Sequence, residues 1–394
     1  MSYRVTIRAC AAILAFGLTC GTTSSTRAAE TYTIYGILSL TGSGAFLGRE
    51  EAQSLHALET TVNEHGGING TPVHFSIQDD GSNPSVSVQL ANGIIGRHVP
   101  VMMGPTLVAA CSAVAPLFRN GPVQYCFAPG IYPPRGSYTF AASVSTKEFV
   151  LTALRYFRAR GWLRLGLITS TDATGQEGER VINEGLGLPE NSRITVVDRE
   201  YFNTTDVNAV AQLARLKAAN PSVVIAWTTG TPFGTILRSA ADIGFTIPIV
   251  TNSGNIVRAQ MEQYAAFAPK DLYFTTTRYL AYESSRPGPV KEAQALFYSA
   301  IRREGIPPDS GTAIAWDCGG VVVDALRHVG LNASAAQLHD YIEHSHGFAG
   351  INGVFDFRDG NQRGLTGRDA IIVRWDGEKK DWVAVTQPGG TPLR

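Results

Sequence analysis

The stretch Tyr32-Thr33-Ile34-Tyr35-Gly36-Ile37-Leu38-Ser39-Leu40-Thr41-Gly42-Ser43-Gly44-Ala45-Phe46-Leu47-Gly48 decides the fold. Residues 32–38 form a short apolar run, as expected of a strand buried on both faces. The run breaks at a glycine-rich turn, and apolar residues then recur at helical spacing over residues 50–64. Strand, turn and helix in that order open a β-α-β unit, whose strands lie parallel. In an open parallel sheet, a turn at the carboxyl end of the first strand is where ligands bind.

Outward from this stretch the alternation continues. Strands are predicted at 73–78, 99–103 and 123–127, with helices at 85–97 and 108–119 between them. A second series begins near Thr146. Its helices are predicted at 147–160, 176–186, 207–219 and 234–244, and its strands at 164–169, 195–200, 223–227 and 247–251. The last third changes character. Helices at 289–303, 312–329 and 334–344 follow one another, then short strands at 353–357, 369–374 and 382–386. A simple βα ladder does not end that way. The pattern fits a chain that returns to its first lobe for helices and crosses again to finish the second, so that its crossings make a hinge. The expected fold is therefore α/β, with two doubly wound lobes.

Composition sets the outer limits. The chain has 394 residues, 44% hydrophobic and 17% charged, with 33 basic and 33 acidic side chains. This excludes a disordered chain and a nucleic-acid binder that works through bulk positive charge. The N-terminus has the three parts of a signal peptide. Arg4 and Arg8 precede an apolar stretch over residues 9–18, and a small polar run ends at Ala28, the expected cleavage point. Beyond the first 20 residues no apolar run approaches the roughly 20 residues that span a bilayer. Loss of residues 1–28 takes Arg4, Arg8 and Arg27 and no acid, leaving 30 basic against 33 acidic side chains. A periplasmic location is expected. Cys111, Cys126 and Cys318 remain after cleavage. Cys111 and Cys126 fall at neighbouring places in one α/β unit, which leaves two readings, a disulfide or two buried thiols. Cys318 lies on an apolar helix and reads as core.

Candidate functional residues cluster at predicted strand ends. Phe46 and Leu47 sit in the first turn, where they either face a cleft or tuck into their own lobe. The spacing Gly42-x-Gly44-x-x-x-Gly48 departs from the dinucleotide fingerprint, and no acid closes the next strand at the required distance. Gly104-Pro105-Thr106 ends the third strand, with Thr106 as a candidate N-cap. The free N–H groups of the next turn, at Val108, Ala109 and Ala110, suit a carboxylate. Gly130 and Tyr132 leave the fourth strand at the same edge. Tyr132 either points into the cleft or stacks on a proline at the surface. No nucleophile elbow appears, no Cys/His spacing reads as a metal site, and the carboxylates at strand ends read as turn and cap residues. No catalytic residue, metal or cofactor is expected.

These segments, in this order, resemble the periplasmic substrate-binding proteins of ABC importers, in particular the leucine/isoleucine/valine-binding family. The pieces are Gly36-Ile37-Leu38-Ser39-Leu40-Thr41-Gly42, the stretch Asn63-Glu64-His65-Gly66-Gly67-Ile68-Asn69-Gly70, Asp79-Asp80, Gly104-Pro105-Thr106, Pro129-Gly130, Asp172-x-x-Gly175 and Gly234-Thr235-Ile236-Leu237-Arg238. The resemblance implies a type I periplasmic-binding-protein-like fold with a three-crossing hinge. Lobe 1 would comprise residues 30–143 plus 279–355, and lobe 2 residues 144–278 plus 356–390. It implies a monomer that closes on a small-molecule ligand and docks on an ABC permease and its ATPase, with no nucleic-acid partner. A ligand-sensing receptor of the same fold is the alternative, and an exported α/β enzyme a more distant one.

The family's ligand residues transfer unevenly. Where its amino-acid binders place a hydroxyl residue at the helix start, this chain has Val108. Tyr132 stands for a threonine, Leu47 for an aromatic residue and Thr174 for a tyrosine. The acid that pairs with a ligand's ammonium is missing from Thr251-Asn252-Ser253-Gly254-Asn255. A buried ammonium without a counter-charge costs several kcal/mol. The expected ligand is therefore a carboxylate with an aromatic or branched apolar body, ahead of an amino acid. Helix-start amides and the hydroxyls of Thr106, Tyr132 or Ser253 would hold its carboxylate. Phe46, Leu47, Tyr132 and Trp227 would hold its body, with Gly130, Thr174 and Thr229 alongside.

Overall fold

The computed structural model describes Met1 and residues 31–393. The leader reading of residues 1–28 therefore falls, Met1 apart, outside the described residues. In chain order the first part contains β1 (Tyr32–Leu38), α1 (Ala45–Glu64), β2 (Val73–Asp79), α2 (Pro84–Ile95), β3 (Val101–Met103), α3 (Val108–Val114), β4 (Val123–Cys126) and β5 (Thr139–Ala141). The second part contains α4 (Thr146–Arg160), β6 (Arg164–Ser170), α5 (Ala173–Leu186), β7 (Thr195–Phe202), α6 (Val210–Ala218), β8 (Val223–Trp227), α7 (Thr231–Asp242), β9 (Ile249–Thr251), α8 (Arg258–Tyr264) and β10 (Leu272–Thr277). The last part contains α9 (Pro289–Arg303), α10 (Ser310–Val329), α11 (Ala335–His344), β11 (His346–Ala349), β12 (Val354–Asp356), β13 (Ala370–Asp376) and β14 (Asp381–Ala384).

Two sheets organise these elements. The first has strand order β2-β1-β3-β4-β5, all parallel. The second has order β14-β13-β10-β9-β8-β6-β7 and is parallel except for β13 and β14, which run antiparallel at one edge. Helices α1 and α10 pack on one another against the first sheet, where the Ser54 hydroxyl donates to the Thr312 carbonyl at 2.7 Å. Helices α4 and α5 pack together on the second sheet. Among the described residues no helix is long and apolar enough to cross a membrane.

The chain passes between the sheets three times, and the passages are pinned to each other. The Ala141 N–H donates to the Gln362 carbonyl at 2.8 Å. Arg363 Nη1 donates to the Ala142 carbonyl at 3.1 Å. Arg278 and Asp369 form an ion pair at 2.9 Å.

Three differences from the sequence reading have physical causes. Helix α1 starts at Ala45, five residues early, because Gly48 brings the helix onto the end of β1. A Cβ at Gly48 would lie 2.2 Å from the Ser39 carbonyl oxygen. Strand β10 escapes a hydrophobicity pattern because half of it is threonine, yet Thr275, Thr276 and Thr277 are all buried at the sheet centre. Strand β5 is three residues long, too short to show a period. Cys111 and Cys126 are joined in a disulfide, with Cα atoms 5.9 Å apart, and Cys318 is a buried free thiol.

Candidate functional site

The carboxyl ends of β1, β3 and β4 in one sheet face those of β6, β8 and β9 in the other. Between them lies a small, partly open cavity of about 50 Å³. Its first-lobe wall comes from Leu47, Thr106, Leu107, Val108, Ala128, Pro129 and Gly130, with Ile314 of α10. Its second-lobe wall comes from Thr146, Phe149, Thr174, Trp227, Thr229, Asn252, Ser253 and Gly254. A wider groove of about 660 Å³ between α8, α9 and β14 is open to solvent and lies away from the strand ends. Open parallel sheets bind ligands in the crevice at the carboxyl ends of their strands, which favours the smaller cavity as the site.

The cavity thus gathers Leu47, Thr106, Val108, Gly130, Thr174, Trp227, Thr229 and Ser253 from the sequence reading. Phe46, Ala109, Ala110 and Tyr132 do not line it. Phe46 and Leu47 are consecutive on the first turn of α1, about 100° apart around the axis, so only Leu47 faces the cavity. The same geometry turns Ala109 and Ala110 of α3 away and leaves Val108 at the wall. Tyr132 is 43% exposed and sits at the outer rim. Leu107, Ala128, Pro129, Thr146, Phe149, Asn252, Gly254 and Ile314 were not anticipated. The first two and Pro129 adjoin anticipated residues, and Asn252 and Gly254 belong to the Asn-Ser-Gly-Asn turn already noted. Phe149 and Ile314 carry no local signal, because helix packing brings them in from elsewhere.

Thr106 is not the N-cap. Leu107 holds that position, and Cys111 N–H makes the first intrahelical bond, to the Leu107 carbonyl at 2.9 Å. The Thr106 hydroxyl is committed. It accepts from the Ser39 N–H at 3.1 Å and donates to Glu51 at 2.5 Å. Burial pushes the Glu51 carboxyl well above its usual range, and the Thr106 bond partly offsets this.

A pair of acids stands behind the wall. Burial raises Glu50 well above normal, reinforced by the charge of its hydrogen-bonded partner Asp309. Burial likewise pushes Asp309 up to about 6. Glu50 Oε2 and Asp309 Oδ1 have no other partner. Two buried carboxyls in contact retain one proton between them. Asp309 also receives the Arg258 N–H, and the Ser310 N–H donates to the Ile256 carbonyl at 2.9 Å, so this corner joins the two lobes.

On the second lobe, side-chain amides set the wall. Asn252 Nδ2 donates to the Thr228 carbonyl at 2.8 Å, while its Oδ1 accepts from Thr229 Oγ1 at 3.1 Å and the Gly254 N–H at 2.9 Å. Asn255 Nδ2 donates to the same Thr228 carbonyl at 2.7 Å, and its Oδ1 accepts from the Gly230 N–H at 3.0 Å. These bonds tie the loops after β8 and β9 into one surface. No ionisable side chain lines the cavity. Such a surface can enclose a small apolar body and offer hydroxyls and amides to a polar end. Among the described residues no group of acids, histidines and cysteines is arranged to hold a metal ion.

The chain belongs to the periplasmic binding protein family, whose profile matches residues 31–381. It is 24% identical over 305 residues to a Leu/Ile/Val-binding protein homolog 1 of Brucella abortus, covering 74% of this chain and 77% of that one. Its fold is similar to a branched-chain amino acid transporter substrate-binding protein of Streptococcus pneumoniae solved with isoleucine. The TM-score is 0.77 at 17% identity, over 90% of this chain and 99% of that one. It is also similar to an ABC transporter solute-binding protein of Rhodopseudomonas palustris solved with benzoate. There the TM-score is 0.76 at 18% identity, over 92% and 97% of the two chains. The fold is the type I periplasmic binding fold.

Proposed function

We propose that this chain is an exported solute-binding protein that captures a small organic acid, with an aromatic or branched apolar body and no ammonium group, for an ABC importer. The observation that carries the reading is the cavity wall. Leu47, Leu107, Val108, Phe149, Trp227 and Ile314 surround an apolar body, and no acid is present to pair with an ammonium. Two carboxylates that touch lining residues or their neighbours are engaged elsewhere, Glu51 by Thr106 and Glu177 by Arg180. An amino acid would bury its ammonium uncompensated, at several kcal/mol.

A carboxylate fares better. The N–H groups at the start of α3 precede its first intrahelical bond, and the Thr146, Thr174 and Ser253 hydroxyls lie around the same space. The cavity of about 50 Å³ is smaller than the roughly 150 Å³ that admits a benzene ring. Uptake therefore goes with parting of the lobes, and closure on the ligand favours the form that touches it from both sides. We assign residues 30–143 plus 279–355 to one lobe and 144–278 plus 356–390 to the other. The protein would act as a periplasmic monomer beside a permease and its ATPase.

A melting-shift panel tests the proposal. Ligand at 100 times its Kd stabilises the folded state by about 2.7 kcal/mol. Benzoate-like and branched aliphatic acids are expected to raise the melting temperature, and leucine, isoleucine and valine to leave it unchanged. A shift with the amino acids alone would overturn the ligand class.

A further inference from the structure

Tyr132 is one of four anticipated ligand residues that the cavity leaves out, and its contacts give it another task. It lies in the loop after β4, two residues beyond Gly130, which does line the cavity. Its hydroxyl accepts from the Lys147 N–H at 3.0 Å; burial, with the Glu177 carboxylate nearby, pushes the phenol well above its usual range. Lys147 is in the first turn of α4 and Glu177 is in α5, both on the second sheet. Arg180 holds the same carboxylate through two bonds, at 2.8 and 2.9 Å, and its guanidinium carbon stands 5.0 Å from the Tyr132 ring centre. Arg363, from the third passage between the sheets, also lies over the ring at 5.5 Å, and it bonds to the Ile131 and Ala142 carbonyls.

The Lys147 bond and the Arg180 contact run from a loop of the first lobe to helices of the second, and Glu177 holds Arg180 in place from within α5. The elements they join also build the cavity. The Tyr132 loop carries Pro129 and Gly130, α4 carries Thr146 and Phe149, and α5 carries Thr174. The position at the rim lets the contacts part without exposing the core of either lobe. We infer that Tyr132 is a positioning residue, a latch that holds the two lobes in the ligand-retaining arrangement through Lys147, Glu177 and Arg180. The inference rests on the cavity being the ligand site.

Loss of the hydrogen bond that satisfies the Lys147 N–H should weigh about tenfold in the balance between closed and open forms. Tyr132→Phe removes this bond and keeps the ring under Arg180. With benzoate as probe, stopped-flow binding is expected to show dissociation about tenfold faster and association nearly unchanged. In the ligand-free protein, spin labels on Gln89→Cys and Ala214→Cys read the inter-lobe distance, which Tyr132→Phe should shift toward the longer value. Unchanged distances together with unchanged dissociation would overturn the latch. If the wild-type protein ignores benzoate, the ligand reading fails, and the spin-label distances alone then decide for or against the latch.

Discussion

Gly178→Ala should abolish ligand capture while sparing the fold. Gly178 lies on the buried face of α5 against the Trp227 indole. A Cβ there would stand 2.1 Å from Cδ1, 2.5 Å from Cγ and 2.6 Å from Nε1 of that ring. Comfortable carbon contacts need about 3.5–4.0 Å, so the indole must withdraw by about 1.5 Å. The helix backbone closes one side of the ring and the ligand cavity of about 50 Å³ lies on another. The ring therefore moves into the cavity and fills it. Overpacking of this kind costs about 1–3 kcal/mol, against which alanine gains up to about 1 kcal/mol over glycine within a helix. The net loss of stability is then about 0–2 kcal/mol, measurable by guanidinium unfolding. The binding loss is far greater, because the ligand and the displaced indole compete for one space. Calorimetric titration with the best acid of the melting panel should show affinity reduced by at least a hundredfold. Gly187→Ala is the control. It sits at the end of the same helix, and its added Cβ meets only carbonyl oxygens at 3.4 and 3.6 Å, so binding and stability should hold. A Gly178→Ala protein that folds and binds within twofold of wild type would refute the packing argument.

Other consequences can be checked in parallel. Glu50 and Asp309 are raised in the folded state relative to the unfolded chain. Their contribution is therefore intact below pH about 4 and is lost as pH rises through about 6 and beyond. Urea midpoints should fall from pH 5 to pH 8, and Glu50→Gln, which cannot ionise, should flatten that slope; an identical slope would remove the pair as its source. Thr106→Val takes the hydroxyl from buried Glu51 and from the Ser39 N–H, at an expected cost of about 2 kcal/mol; chemical denaturation that shows no loss would mean that water replaces the hydroxyl. Replacing Cys111 and Cys126 together by serine opens a link between residues 15 apart, worth about 3 kcal/mol in the chain-entropy account. A lowered melting temperature with ligand affinity retained is expected, since neither sulfur lines the cavity.

The reach of the sequence followed the range of the forces involved. Strand and helix periodicity is written in neighbouring residues, so the two βα series and the parallel sheets could be read from Tyr32 to Thr251. The Asn63-to-Gly70 segment was legible for the same reason. Asn63 bonds both ways with Val73 only ten residues on, its Oδ1 taking the Val73 N–H at 2.8 Å and its Nδ2 meeting the Val73 carbonyl at 2.9 Å. The cavity residues at strand ends were also legible, because parallel topology brings those ends to one edge whatever the side chains.

Tertiary structure decided what local pattern could not carry. Phe149 and Ile314 reach the cavity through helix packing, and nothing in their neighbourhoods marks them. The threonines of β10 are interior because two strands flank them, a fact that overrides their polarity. Tyr132 shows the difference most sharply. Its sequence position placed it at the binding edge, but the direction of its side chain was set by Lys147, Glu177, Arg180 and Arg363, each distant in the chain. Residue order therefore determined which segments meet, whereas the packing between the two sheets determined which side chains face the cavity and which bond across it.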